Sequence, residues 1–117
     1  MSTVCRKRVY LSGPMTGLPD LNRAAFARAR LALKRAGASY VFDPSTRWGD
    51  GKDRAWYMRH DIAELARTDT NGRPWYQILV SLPGWQMSDG AWCESLMAEE
   101  FGIEVAELAE VTPDGRE

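Results

Sequence analysis

The chain has 117 residues, 44% hydrophobic and 26% charged, which suits one soluble domain with a core of its own. Its formal net charge of -1 gives no global signal for an anionic membrane and argues against a duplex nucleic-acid partner, since a strong duplex binder carries more positive charge. No stretch nears the roughly 20 apolar residues of a membrane span, the N-terminus lacks a signal peptide's apolar run, and two cysteines with one histidine make neither a disulfide framework nor a zinc site, so a reducing, cytoplasmic setting is expected.

Taken in order, Arg6, Lys7 and Arg8 form a small basic cluster, read as the end of a solvated arm over residues 1–7. Arg8 to Ser12 is β-branched and aromatic and stops at Gly13-Pro14, the pattern of a first strand. A loop follows to Leu21. Phe26, Ala29, Leu33 and Ala36 then recur at helical spacing, with Asn22 as a candidate N-cap and Gly37 where a C-terminal glycine belongs. Ser39 to Phe42, bounded by Asp43-Pro44, reads as a second strand. Residues 44–54 are turn-rich without a period. Ala55 to Arg67 predicts a second helix with Met58, Ile62, Leu65 and Ala66 on its buried face. Gln77 to Leu82 is a continuous apolar run, as expected of a strand covered on both faces. Asp89 to Phe101 predicts a third helix ended by Gly102, Ile103 to Leu108 a last strand, and residues 109–117 a tail.

This β-α-β-α-β-α-β order predicts a single α/β domain, with a parallel sheet between two helical layers. Ligands of such sheets bind outside the carboxyl ends of the strands. Two loops leave those ends with unusual chemistry, Ser12 to Gly17 after the first strand and Gly84 to Gly90 after the third. Neighbouring strands would bring them to one crevice.

The first loop matches neither a P-loop nor GxGxxG. Its glycines fit a ligand cradle or a turn with positive φ at Gly13 or Gly17. In the second loop Ser88 or Asp89 caps the third helix, whose first-turn N–H groups favour an anion. Gly90 permits close approach to the backbone. Glu94 lies one turn in, where an acid either complements the helix dipole or faces a ligand. Asp61 fits a solvated helix face, or a carboxylate reaching the same crevice. In the second case the two acids form the arrangement of glycosyl chemistry, one attacking an oxocarbenium-like centre while another group manages protons. Cys93 reads as a small core residue, with no histidine placed to activate it. Trp85 reads as core, pocket wall or a platform for a base.

Val9 to Gly17, Asn22, Phe26, Asp61, Leu82-Pro83-Gly84-Trp85 and Ser88-x-Gly90-Ala91-x-x-Glu94 together resemble a family of small phage and prophage proteins. That family is itself similar to the nucleoside 2-deoxyribosyltransferases and the 2′-deoxynucleoside 5′-phosphate N-hydrolases. The resemblance spans roughly residues 8 to 105. It implies a flavodoxin- or Rossmann-like three-layer α/β/α sandwich. It also implies that Glu94 attacks the anomeric carbon, with Asp61 and Tyr10 completing the catalytic set. Ser12, Gly13, Met15, Thr16, Gly17, Trp85, Ser88, Asp89 and Gly90 are the expected substrate-binding residues. A basic residue of the monophosphate hydrolases falls on Thr16. The implied partner is a nucleoside or nucleotide, with no metal or organic cofactor. A homodimer or higher homo-oligomer is expected, and the host-cell cytoplasm if the chain is phage-encoded. The alternative is a module that holds a nucleotide without turning it over.

Overall fold

The computed structural model describes residues 3–112. Four strands, β1 (Arg8–Ser12), β2 (Tyr40–Phe42), β3 (Ile78–Ser81) and β4 (Glu104–Glu107), form one sheet in the order β2-β1-β3-β4. Every pairing is parallel. Alternation along β1 sorts the core into two layers. Val9 and Leu11 point to a cluster with Phe26, Ala29 and Leu33 of α1 (Arg23–Arg35) and Leu108 and Val111 of α4 (Leu108–Val111). Tyr10 points the other way, to a cluster with Leu65 of α2 (Arg54–Leu65) and Ala98 of α3 (Asp89–Glu100). The result is the expected three-layer α/β/α sandwich. Chain order reverses between β1 and β3, which makes their carboxyl ends the switch point where such sheets bind ligands.

Several local expectations are corrected. The basic cluster is not a solvated arm. Val4 is buried, Lys7 pairs with Glu104 at 3.0 Å, and the Arg8 guanidinium lies 4.8 Å from the Trp75 ring centroid. The last strand stops at Glu107, where a capping box with Glu110 starts the single turn of α4. Val111 and Thr112 are therefore packed rather than part of a tail; residues 113–117 lie outside the described residues. The buried stripe of α2 is Tyr57, Asp61 and Leu65, while Ala66 is exposed. Asn22 precedes α1 in a left-handed conformation (φ 61°), and its side chain makes no cap. Instead its Nδ2 donates to Pro14 O at 3.0 Å, tying the first loop to the helix.

Gly13 does not need positive φ. A Cβ there would meet Leu82 Cβ at 2.7 Å, so the glycine lets the chain leaving β1 press against the chain leaving β3. That contact closes the floor between the two loops.

Candidate active site

A cavity of about 720 Å³ opens at the carboxyl ends of β1 and β3. Glu94 and Asp61 both line it, from α3 and α2. The sequence places both helices, and the two N-caps set their phase: Asp53 accepts from Trp56 N at 2.8 Å and Ser88 from Ala91 N at 3.3 Å.

Glu94 is 3% exposed and held by two donors. The Tyr10 hydroxyl donates to Oε2 at 2.5 Å, and the Ser12 hydroxyl donates to Oε1 at 2.7 Å. Both donors come from β1, two residues apart and therefore on one face of the sheet. Burial pushes the Glu94 carboxyl up to about 7, with the charge of Asp61 adding and the two hydrogen bonds opposing. Burial beside Glu94 also drives the Tyr10 phenol well above its ordinary value. It therefore stays a donor.

Asp61 is fully buried. Its Oδ2 accepts from Trp48 Nε1 at 2.8 Å, and its Oδ1 accepts no hydrogen bond. Burial raises this carboxyl to about 6, against the pull of Trp48, Arg47 and His60, with Glu64 adding to the rise. The charge of Asp61 is the smallest of the influences on Glu94, after burial and the two hydrogen bonds. The hydrogen bonds of the two acids differ. Both oxygens of Glu94 are occupied as acceptors, which suits the carboxylate, whereas Asp61 keeps one oxygen open to a proton.

Among the substrate-binding residues expected from sequence, Gly13, Met15, Thr16, Ser88, Asp89 and Gly90 line the cavity. Tyr10 and Ser12 are fully buried, off the cavity wall, and each donates its hydroxyl proton to Glu94. Gly17 is off the wall and serves a turn with φ 83°. Trp85 is off it too, stacked on Trp92 with ring centroids 5.5 Å apart. The space beside Gly90 is taken by Met58, whose Sδ would lie 3.2 Å from a Cβ at that position.

Sequence reasoning missed Trp48, Arg54 and Met58, all on the cavity wall. Trp48 sits in the turn-rich segment where no period marks an inward residue. Arg54, the first residue of α2, makes no ion pair with any described residue, and its guanidinium faces the first turn of α3. Among the described residues no group of three His, Cys, Asp or Glu is placed to hold a metal ion. No helix among them is long and apolar enough to cross a membrane.

Residues 7–107 match the family described as a domain of unknown function, DUF4406. The chain belongs to this family. No curated protein matches it. The DUF4406 match runs from the residue before β1 to the end of β4, so it contains the whole sheet and every residue of the cavity wall.

Proposed function

We propose that this protein cleaves or exchanges the N-glycosidic bond of a deoxynucleoside or its monophosphate. The observation that carries the reading is Glu94, a carboxylate clamped by Tyr10 and Ser12 at the base of a cavity that a second carboxyl, Asp61, also lines. The likeness to the nucleoside 2-deoxyribosyltransferases and the 2′-deoxynucleoside 5′-phosphate N-hydrolases points to the same chemistry, and the likeness to phage proteins to a phage-type origin.

In this reading Glu94 attacks the anomeric carbon as the bond to the base breaks. The base leaves with a proton from Asp61. The glycosyl ester on Glu94 is then opened by water, in a hydrolase, or by a second base, in a transferase; the acceptor's proton returns to Asp61 and Glu94 leaves as the carboxylate. This division of labour rests on the hydrogen bonds of the two acids, because burial raises Glu94 to about 7 and Asp61 only to about 6. Apolar side chains on the wall, among them Met15, Leu18, Met58 and Leu82, suit the faces of a base. Arg54 supplies a cation for a 5′-phosphate that Thr16 does not.

The second subunit belongs to the same proposal. Trp92 and Leu96 are about half exposed on the outer face of α3, and Met87, on the cavity rim, is 90% exposed. Two exposed apolar side chains on one helix, with a third at the mouth of the cavity, suit pairing with a second copy of the chain.

Incubation with deoxynucleosides and their monophosphates, with and without acceptor bases, tests the reading by chromatography of free base. Wild-type release that falls at least a thousandfold in Glu94→Ala is the expected result, about the scale for losing a covalent nucleophile. No release from any member, with nucleotide binding retained, would assign the cavity to holding a nucleotide without turnover.

A further inference from the structure

Asp61 Oδ1 is the buried atom that the hydrogen bonds of the cavity leave without a partner. The guanidinium of Arg47 stands 3.7 Å from it, outside hydrogen-bonding distance. The same guanidinium lies 3.9 Å from Glu64 Oε1 and 4.9 Å from the centroid of Phe42. Glu64 is anchored in turn by Arg67 at 2.7 Å and by the Tyr76 hydroxyl. Arg47 is thus suspended between two carboxylates and hydrogen-bonded to neither. It is absent from the cavity wall, so whatever it does to a ligand it does through Asp61.

We propose that Arg47 and Glu64 form an opposed pair that sets the protonation of Asp61, which makes Arg47 a positioning residue for proton transfer in this site. The proposal rests on the glycosidic reading above for its purpose, but not for its test. Its physical basis is direct. A cation about 4 Å from Oδ1 favours the ionised form. Glu64 holds that cation back and adds a negative charge of its own. The other groups facing Asp61 are Glu94 from α3, the Tyr10 hydroxyl from β1, which lies 3.2 Å from the Asp61 backbone oxygen while donating to Glu94, and His60 from α2 itself. Without Arg47, the anion Glu64 is left to favour the proton. Without the charge of Glu64, Arg47 is free to close on Oδ1 and favour the anion. The two substitutions therefore move Asp61 in opposite directions, which a merely structural role would not do.

The test is a carbon-13 NMR titration of the side-chain carboxyls in the ligand-free protein, with Asp61→Asn assigning the signal. Arg47→Met is expected to raise the Asp61 midpoint by about one pH unit. Arg47→Lys should keep most of the wild-type value, and Glu64→Gln should lower it. Should Arg47→Met fail to fold, Arg47→Lys and Glu64→Gln carry the test. Midpoints that stay put, or that move the same way in Arg47→Met and Glu64→Gln, overturn the proposal. Where base release is measurable, the alkaline limb of kcat/KM should follow the same midpoints. Shifted midpoints without base release would remove the glycosidic reading and leave the pair standing. Base release with immobile midpoints would do the reverse.

Discussion

Three side chains define the centre of the cavity, and only one of them reaches its wall. Glu94 is presented to the cavity while Tyr10 and Ser12 spend their hydroxyls on holding it. The restraint is what a nucleophile needs, because two donors on one face of β1 fix the carboxylate's position and leave it no partner of its own to seek. In the proposed function Arg54 is the residue that separates phosphorylated from unphosphorylated substrates. It lines the cavity from the start of α2, close to the first turn of α3, without an ion pair among the described residues. In the proposed function it meets the 5′-phosphate. Arg54→Ala should then raise KM for a deoxynucleoside monophosphate about ten- to a hundredfold, the scale of one lost charge-assisted hydrogen bond. KM for the unphosphorylated nucleoside should change less than about twofold, since it lacks the group that Arg54 contacts. Steady-state kinetics on both substrates separate the cases. An equal rise for the two would give Arg54 a role in shaping α2 instead.

At the scale of elements, α3 was legible and α2 only half so. The Ser88 cap and the Gly102 terminator bracket α3 in the sequence, and the first strand is bounded by Gly13-Pro14 at the residue where β1 ends. The buried face of α2 was read from its most apolar positions, yet the stripe that packs inward runs through Tyr57, Asp61 and Leu65. A buried aspartate is invisible to hydrophobic periodicity, because what makes its burial tolerable comes from elsewhere in the chain. Here that is the Trp48 indole and the Arg47 guanidinium, both in a segment with no period to read. The outer face of α3 carries its own prediction. If Trp92 and Leu96 meet their counterparts in a second copy, light scattering will give twice the monomer mass at micromolar concentration. Trp92→Glu will return it to the monomer, because a charge buried against its symmetry mate is strongly disfavoured. A wild-type monomer across the concentration range would leave both side chains as ordinary exposed surface.

For the molecule as a whole, the sheet order puts the two acids where an α/β fold binds ligands, and it also buries them at a cost to stability. An ordinary glutamate has a value of 4.5, and Glu94 is held near 7. Between those values the unfolded chain has released its proton and the folded chain keeps it. The contribution is therefore fully present at low pH and is lost as pH rises through the folded value. Asp61, raised from 3.8 to about 6, acts in the same direction. Glu94→Gln preserves the shape of the site, its amide oxygen accepting from one hydroxyl and its NH2 donating to the oxygen of the other, but it has nothing to ionise. It should be more stable than the wild type at pH 8 by on the order of 3 kcal/mol, and the advantage should disappear by about pH 4, where the glutamate is protonated in both states. Urea denaturation of the two proteins at these pH values measures the difference directly. In the proposed function the same variant also loses the nucleophile, so a gain in stability joined to a loss of base release is the signature of an acid kept in place for chemistry. A Glu94→Gln protein no more stable than wild type at pH 8 would mean that Tyr10 and Ser12 already offset the burial of the charge. The fold would then carry its buried glutamate at no cost.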